Sequence, residues 1–307
     1  MSIVALFSGQ GAQKVGMGKD FYESSATARA MMDEADQVLG YSLTKIMFEG
    51  PEEELTRTSR CQPALYLHGL VAMALLAERV AGFGIDAAAG LSLGEFTAHS
   101  AAGTFSFADG LRLVAKRGAL MEEACQNTQG SMAALLGGEE EQIRALAADC
   151  DVDVANFNAP GQIVLSGSVA GIAAVVEKAK DFGVRRAIPL NVAGAYHSRL
   201  MQSAQDQLAI AMKDVPMQAP RVPVVCNFGA CVVSEPEQIR GMLEKQVTGS
   251  VRWTESIQQL RAMGHQKFIE FGPGKVIAGL VAKIDKEAQI TSIEDLAGLE
   301  AAVENWG

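Results

Sequence analysis

Apolar residues recur along the chain at spacings that predict alternating strands and helices. Ile3–Phe7 and Asp86–Leu91 are short apolar runs with the length of buried strands. Helical periodicity, with apolar residues three or four positions apart, is predicted for Phe21–Leu39, Pro63–Ala81, Gly94–Ala101 and Phe107–Ala124. This alternation is typical of an α/β domain.

The pattern changes between Ser131 and Leu190, where shorter elements follow one another closely. The predicted elements are the strand Met132–Leu136, the helix Glu139–Ala148, the strands Val152–Phe157 and Ile163–Ser166, the helix Val169–Phe182 and the strand Arg185–Leu190. Asn158–Gly161 is predicted to be a turn between the second and third of these strands. The β-α-β-β-α-β order is that of the ferredoxin-like motif. We therefore predict a small subdomain at residues 129–192, inserted into a larger one formed by residues 1–128 and 193–307.

The alternation of strands and helices seen in the first part of the chain resumes after the predicted insertion. The elements expected there are the helix Ser198–Lys213, the strand Val222–Cys226, the helix Glu237–Gln246, the strand Lys267–Phe271, the helix Lys275–Ile284, the strand Ile290–Ile293 and the helix Glu294–Asn305. The sequence has no internal repeat and no long linker. An α/β fold is therefore predicted for the whole chain.

The composition indicates a folded protein with neither a nucleic-acid nor a membrane partner. Hydrophobic residues make up 49% of the chain and the formal net charge is −10, whereas phosphate contacts need a concentrated basic surface. The longest apolar stretch, Leu65–Ala77, is too short for a membrane span. The first residues lack the basic region and cleavage site of a signal peptide. A soluble, cytoplasmic protein is expected.

Neither a metal nor a nucleotide cofactor is predicted. The five cysteines form no C-x-x-C pair, and none stands beside a histidine at a ligand spacing, so free thiols in a reducing compartment are expected. The glycine-rich stretch Gly9–Gly18 matches neither the dinucleotide-binding fingerprint nor the P-loop.

Ser92 is the candidate nucleophile. Gly90-Leu91-Ser92-Leu93-Gly94 matches the G-x-S-x-G motif, with small apolar residues before it and a helical pattern after it. A strand-to-helix turn of this kind projects the serine oxygen outward, and the first N–H groups of the helix can stabilise a developing oxyanion. An ordinary serine at a helix start is the alternative.

His197 is the candidate for the base that accepts the serine proton, a role most often taken by histidine. His99 lies seven residues after Ser92 on the same predicted helix, about 10 Å along its axis, which is too far for a hydrogen bond. His68 falls within a buried helix, and His265 precedes a strand in a surface-like setting. His197 lies in the loop Asn191–Ser198, which leaves the predicted insertion and enters a helix, and catalytic groups are often found on such loops. A capping or buried role for His197 is the alternative.

These features together resemble the malonyl-CoA:acyl carrier protein transacylase family. The resemblance covers nearly the whole chain, in the ordered segments Gly9–Gln13, Gly90–Glu95, Lys116–Gly118, Asn158–Gly161, Gly194–Ser198, Gln246–Trp253 and Gly272–Lys275. It implies an α/β-hydrolase-like large subdomain with a ferredoxin-like small one, in agreement with the predicted order of elements. It also implies transfer of malonyl from malonyl-CoA to acyl carrier protein for fatty acid synthesis, without a cofactor.

The resemblance assigns a catalytic role to each matching position. Ser92 would be acylated, and His197 would be its general base. The backbone N–H groups of Gln10 and Leu93 would form the oxyanion hole. Gln246 would orient His197 through its main-chain carbonyl, which makes a Ser–His dyad with a backbone partner in place of a carboxylate.

Arg117 would bind the malonyl carboxylate. Its planar and permanently charged fork suits a carboxylate, and a malonyl group needs such a cation close to Ser92. An exposed arginine on the polar face of Phe107–Ala124 is the alternative. Two positions depart from the family's usual residues, with Ser8 in place of proline and Tyr196 in place of phenylalanine. Since Tyr196 would limit the α-substituent, a preference for malonyl over methylmalonyl is expected.

Three other functions stay open: a thioester hydrolase, a trans-acting polyketide acyltransferase, and a carrier-binding scaffold without activity. A hydrolase of neutral acyl groups has no use for Arg117, and a scaffold has no use for the other catalytic groups. The family's carrier protein is acidic, so basic side chains are candidates for its docking site. They are Arg185, Arg186, Arg199 and Lys275.

Overall fold

The computed structural model describes residues 2–306 and contains two sheets, one parallel and one antiparallel. The strands are β1 (Ile3–Phe7), β2 (Ala87–Gly90), β3 (Gly130–Leu136), β4 (Asp153–Ala159), β5 (Gln162–Ser168), β6 (Arg186–Pro189), β7 (Val224–Val225), β8 (Lys267–Phe271) and β9 (Gln289–Ile293).

Helices connect and cover these strands. The α-helices are α1 (Lys19–Ser24), α2 (Ala26–Leu39), α3 (Leu43–Glu49), α4 (Glu52–Thr56), α5 (Thr58–Arg79), α6 (Leu93–Ala101), α7 (Phe107–Asn127), α8 (Glu140–Asp149), α9 (Val169–Lys178), α10 (Gln202–Met212), α11 (Pro236–Lys245), α12 (Trp253–Ala262), α13 (Val276–Ile284) and α14 (Leu296–Glu304). Two short 3-10 helices are Ala179–Phe182 and Arg199–Met201.

The parallel sheet has the strand order β7-β2-β1-β8-β9, with β1 at its centre. Every residue of β1 is buried, as expected for a strand covered on both faces. Ile3, Ala5 and Phe7 pack into a core with α5 and α7. Val4 and Leu6 face the opposite core, which contains residues of α12 and α13. This layered arrangement explains the continuous apolar runs in the sequence.

The carboxyl ends of three neighbouring strands bring polar residues together at one edge of the parallel sheet. Ser8 follows β1 directly, and the turn that contains Ser92 follows β2. Asn227 lies two residues after the end of β7. Open parallel sheets bind ligands at the carboxyl ends of their strands. The fold therefore places the G-x-S-x-G motif where a site is expected.

The antiparallel sheet has the order β4-β5-β3-β6 and carries α8 and α9. Its own core includes Leu135 of β3, Leu165 of β5, Ile143 of α8 and Val175 of α9. Every strand and helix predicted between residues 131 and 190 is present, with shifted ends. The predicted turn is shorter, since β4 continues to Ala159. The 3-10 helix replaces the last turn of the predicted second helix.

The other differences from the predicted elements have local physical causes. Ser25 divides the predicted helix Phe21–Leu39, because its extended backbone ends α1 and its side chain accepts a hydrogen bond from Ala28 N at the start of α2. The predicted strand Val222–Cys226 is reduced to the two residues of β7. The helices α3, α4 and α12 were not predicted. Within residues 2–306, no helix combines the length and the hydropathy that crossing a bilayer requires.

Candidate active site

The G-x-S-x-G motif forms a tight turn between β2 and α6. Ser92 has φ 56° and ψ −107°, an unusual backbone conformation for a residue with a side chain. A Cβ atom on Gly90 would lie 2.0 Å from the carbonyl of Gly94, and a Cβ on Gly94 would lie 2.1 Å from Phe7 O. Glycine is therefore required at both positions, because the turn packs against itself and against β1.

Ser92 and His197 form a hydrogen-bonded pair. The Ser92 hydroxyl lies 2.7 Å from His197 Nε2, and His197 Nδ1 lies 2.8 Å from the backbone carbonyl of Gln246. Since a carbonyl only accepts, Nδ1 carries the proton and Nε2 is free to accept one from Ser92. The two side chains are 105 positions apart in the chain, and the fold brings them together in the geometry that a Ser–His dyad needs.

The environment of His197 keeps its ring neutral. Burial, together with the nearby positive charge of Arg117, lowers the pKa of His197 to about 4. At neutral pH the imidazole is therefore unprotonated at Nε2, as a general base must be.

Arg117 lies beside the nucleophile and is 1% exposed, so the alternative of a surface arginine is wrong. Its Nη1 donates to Gln62 Oε1 at 2.8 Å, while Nη2 donates to Gln246 Oε1 at 2.8 Å and to Ser92 Oγ at 3.1 Å. The remaining donor, Nε, has no acceptor among the described residues. Burial lowers the pKa of Arg117 to about 10, so the side chain stays cationic at neutral pH.

The backbone around Ser92 leaves a position for an oxyanion. Asn227 Oδ1 accepts the Ser92 N–H at 2.6 Å, so this N–H is already bonded. Leu93 is the first residue of α6, and the first N–H groups of a helix have no intrahelical acceptor. The loop that contains Gln10 is close, since a Cβ on Gly9 would lie 2.5 Å from Leu91 O. The arrangement suits an oxyanion hole formed by Gln10 and Leu93.

Tyr196 is almost completely buried beside the same loop. Its hydroxyl lies 2.6 Å from Thr58 Oγ1 and 3.4 Å from Gln10 Nε2. Burial raises the pKa of Tyr196 to about 12, so the phenol is neutral at neutral pH. The contacts with Thr58 and Gln10 fix its hydroxyl against α5 and the Gln10 loop.

A family model described as an acyl transferase domain matches residues 4–301 of the chain. The chain belongs to the acyl transferase family. A Bacillus subtilis protein named malonyl CoA-acyl carrier protein transacylase is 40% identical over 98% of this chain and 96% of the relative. A Staphylococcus aureus protein of the same name is 36% identical, with 98% of each chain covered. The predicted resemblance to malonyl-CoA:acyl carrier protein transacylases is thus confirmed, and the chain is an acyltransferase.

Solved structures show the same fold as this acyltransferase. The acyl-carrier-protein S-malonyltransferase from Bartonella henselae has a TM-score of 0.94 and 37% identity, with 99% of each chain covered. A malonyl-transacylase in complex with a type II polyketide synthase acyl-carrier protein has a TM-score of 0.95 and 34% identity, covering 99% of this chain and all of that one. The predicted α/β class is confirmed, and the structure shows one parallel and one separate antiparallel sheet.

Two polar residues of the acyltransferase site were missed by the sequence analysis. Gln62 lies at the start of the buried face of α5, and Asn227 follows β7. Asn227 Nδ2 donates to Gly90 O at 2.8 Å, so its side chain bridges both sides of the serine turn. A polar residue just after a predicted parallel strand was a usable signal for Asn227. Gln62 stood next to the apolar run of α5, where a polar side chain needs a partner.

The remaining histidines lie outside the Ser92–His197 pair. His99 is fully buried, and its Nδ1 lies 3.1 Å from Thr104 Oγ1. His68 is also fully buried and packs against Phe21. The predicted surface-like setting of His265 is wrong, because the residue is only 8% exposed and its Nδ1 lies 2.6 Å from Ser2 Oγ.

One group of three side chains among the described residues has metal-ligand chemistry. Glu95, His99 and Cys226 each offer a ligand atom, these atoms lie within 4.8 Å of one another, and all three residues are buried. Two hydrogen bonds already occupy one oxygen of Glu95. The sequence-based expectation that the protein uses no metal stays a prediction.

Proposed function

We propose that this acyltransferase transfers malonyl from malonyl-CoA to acyl carrier protein through a malonyl ester of Ser92, supplying malonyl carrier protein for fatty acid synthesis. The observation that carries the proposal is the buried guanidinium of Arg117, 3.1 Å from the Ser92 hydroxyl. In a malonyl group, two carbon–carbon bonds of about 1.5 Å each separate the carboxylate carbon from the reacting carbonyl carbon. Arg117 is within reach of that carboxylate, and the names of the relatives support the same substrate.

The first half-reaction acylates Ser92. His197 Nε2 accepts the hydroxyl proton while Oγ attacks the thioester carbonyl of malonyl-CoA. The N–H groups of Gln10 and Leu93 stabilise the oxyanion of the tetrahedral intermediate. The carbon–sulfur bond then breaks, and the thiolate of coenzyme A takes the proton from His197. Coenzyme A leaves, and malonyl stays on Ser92.

The second half-reaction reverses these roles on a new thiol. The phosphopantetheine thiol of the carrier protein gives its proton to His197 and attacks the ester carbonyl. Collapse of the intermediate returns the proton to Ser92 Oγ and releases malonyl carrier protein. Arg117 holds the carboxylate through both steps: its unpaired Nε and the Nη2 hydrogen that contacts Ser92 Oγ before substrate binds can bind a carboxylate in a bidentate manner, while the other Nη2 hydrogen stays bonded to Gln246. No cofactor takes part in these steps.

A trans-acting polyketide acyltransferase is the second candidate, because one structural neighbour is a malonyl-transacylase bound to a polyketide carrier protein. The reaction at Ser92 would be the same, and only the carrier would differ. Transfer rates to a fatty acid carrier and to a polyketide carrier, compared at equal concentrations, distinguish the two. A hydrolase is disfavoured, because hydrolysis of a neutral acyl group gives Arg117 nothing to bind.

Intact mass measurement after incubation with malonyl-CoA tests the proposal directly. We expect a mass increase of one malonyl group, located on the peptide that contains Ser92 and lost when carrier protein is added. The acyl-enzyme should persist without carrier, because Arg117 fixes the acyl group. Release of free malonate with no mass increase would instead identify a hydrolase.

The pH dependence of acylation should report the low pKa of His197. A base must be neutral to accept a proton, so activity is present above the pKa of His197 and is lost below it. We expect the acidic limb of kcat/KM for malonyl-CoA near pH 4, well below the ordinary histidine value of about 6.5.

The charge of Arg117 contributes to the low pKa of His197, so removal of that charge provides a second test. With acetyl-CoA as substrate, Arg117→Ala should move the acidic limb to higher pH than in the wild type, since a neighbouring cation is removed. Activity after return to neutral pH controls for acid unfolding. An acidic limb at the same pH in both proteins would contradict the role given to Arg117.

We further infer the fold type of each subdomain and the residue ranges that form it. The strand order β4-β5-β3-β6 and the β-α-β-β-α-β succession support a ferredoxin-like subdomain, and both lie within residues 129–192. The Ser92 turn between a parallel strand and a helix supports an α/β-hydrolase-like larger subdomain at residues 1–128 and 193–307. A cytoplasmic location is inferred from the five free cysteines.

Substrate preference and carrier docking follow from the same proposal. Tyr196, fixed by Thr58, is inferred to limit space next to the malonyl α-carbon and to disfavour methylmalonyl. Arg199 is a weaker docking candidate than predicted, because it forms ion pairs with two aspartates. Arg185 and Arg186, both exposed, remain candidates for contact with an acidic carrier.

A further inference from the structure

Glu95 is a buried acid that the two half-reactions do not use. It lies in the first turn of α6, three residues after the nucleophile, and its side chain is completely buried. A carboxylate in such a place is unfavourable unless its oxygens are hydrogen-bonded. Oε2 accepts from Gln246 Nε2 at 2.6 Å and from the backbone N–H of Asn227 at 2.9 Å. Both donors belong to segments that contact Ser92.

The Gln246 amide links Glu95 to the substrate-binding cation. Its Nε2 donates to Glu95 Oε2 and, at 2.9 Å, to the backbone carbonyl of Ser92. Its Oε1 accepts from Arg117 Nη2 at 2.8 Å. A side-chain amide has one donor end and one acceptor end, so the two ends are not interchangeable. A reversed amide would direct N–H donors at the guanidinium and an oxygen at the oxygen of Glu95.

The same oxygen of Glu95 also holds the Asn227 segment. The Asn227 side chain accepts from Ser92 N and donates to Gly90 O. Glu95 Oε2 accepts a hydrogen bond from the backbone N–H of Asn227, and so it holds in place the residue whose side chain makes these two contacts. His197 is supported differently, through the backbone carbonyl of Gln246 and not through its amide.

We propose that Glu95 is a positioning residue for recognition of the acyl carboxylate: its Oε2 sets the direction of the Gln246 amide, and this amide aims the Arg117 guanidinium at the malonyl group. The inference rests on the proposed function. It predicts that the loss of the Glu95 acceptor affects malonyl more than acetyl, because only malonyl has a carboxylate for Arg117. The Ser92–His197 hydrogen bond is largely independent of it.

This role does not depend on the charge of Glu95. Burial raises the pKa of Glu95 to about 7, whereas the hydrogen bonds from Asn227 and Gln246 lower it. Both donors bind Oε2, so a proton would be carried by Oε1, and Oε2 stays an acceptor in either form. Glutamine at this position can therefore keep the acceptor and place its amide nitrogen where Oε1 lies.

Two substitutions at Glu95 distinguish the effect of losing the hydrogen-bond acceptor from the effect of changing the side-chain volume. Glu95→Met fills a similar space without an acceptor, and Glu95→Gln keeps one. We expect Glu95→Met to lower kcat/KM for malonyl-CoA at least about tenfold, mainly through KM, with acetyl-CoA changed less than about threefold. Glu95→Gln should keep malonyl transfer within about threefold of the wild type. Stopped-time transfer assays with both thioesters provide the values.

Cys226→Ala is the matched packing control. The buried Cys226 thiol is a hydrogen-bond partner of the same carboxylate, whereas the Gln246 amide bonds to Glu95, to Arg117 and to the Ser92 carbonyl, so the malonyl-to-acetyl ratio should stay unchanged. Equal losses for both acyl groups in Glu95→Met, or equal defects in Glu95→Met and Glu95→Gln, would overturn the proposal.

Glu95→Asp keeps the test decisive if the methionine variant does not fold. Aspartate preserves the acid but withdraws its oxygens by one carbon–carbon bond, about 1.5 Å, so the bond to Gln246 cannot form in the same place. We expect a selective loss of malonyl transfer, and an unchanged ratio would count against the proposal. Formation of malonyl-Ser92 in the wild type is measured in parallel. Its absence refutes the proposed function itself, whereas its presence with insensitive Glu95 variants refutes only the positioning role.

Discussion

Replacing Ser92 with alanine is expected to abolish transfer of malonyl from malonyl-CoA to carrier protein. The Ser92 hydroxyl forms the ester in the proposed reaction, and its bond to His197 Nε2 provides the route for the proton. Removal of a serine nucleophile costs a factor of about 10⁴ or more in comparable dyads and triads. The variant should also show no mass increase with malonyl-CoA. Radiolabel transfer and intact mass are the measurements.

Ser8→Ala is the matched control for this substitution. Ser8 is buried in the neighbouring loop, and its Oγ has no hydrogen-bond partner among the described residues. Loss of this hydroxyl should leave acylation within about twofold of the wild type, because no bond is broken. A malonyl adduct that persists in Ser92→Ala would place the nucleophile elsewhere and remove the basis of the mechanism.

The sequence predicted those parts of the fold that depend on local pattern. β8 has the predicted bounds, because the apolar residues Phe268, Ile269 and Phe271 form a short cluster that ends at the chain break Gly272-Pro273. β7 was predicted too long, because neighbouring apolar residues such as Val222 pack against the core without pairing to β2. α12 was missed although Trp253, Ile257 and Leu260 are all buried and lie four and three positions apart. That spacing was a usable helical signal.

The site was predicted where one motif or one residue type specifies the chemistry. Ser92 could be selected from the glycines around it, and His197 could be selected because few histidines compete for the role of base. The contacts of the Gln246 side chain could not be predicted in this way. They join α6, α7 and the end of α11, and only the folded chain shows that one amide contacts both Glu95 and Arg117. Long-range polar networks of this kind have no sequence period.

Replacing Arg117 with alanine is expected to reverse the acyl preference of the enzyme. The variant loses the cation that lies 3.1 Å from Ser92 Oγ, so the malonyl carboxylate would be left buried without a partner. The loss of charge-assisted hydrogen bonds of this kind costs about 3 kcal/mol, on the order of a hundredfold in kcat/KM for malonyl-CoA. Acetyl transfer has no carboxylate to lose and should be retained or increased. The ratio of the two kcat/KM values is the measurement.

Arg112→Ala and Arg117→Lys complete this experiment. Arg112 is on the same helix but is exposed and paired with Asp109, so its loss should change neither acyl group by more than about twofold. Lysine at position 117 keeps the charge but cannot form the fork that contacts Gln62 and Gln246, and an intermediate malonyl rate is expected. Thermal unfolding of each variant shows whether the buried site still folds. If Arg117→Ala lowers malonyl and acetyl transfer equally in a folded protein, the guanidinium supports the site as a whole and does not select the substrate by its carboxylate.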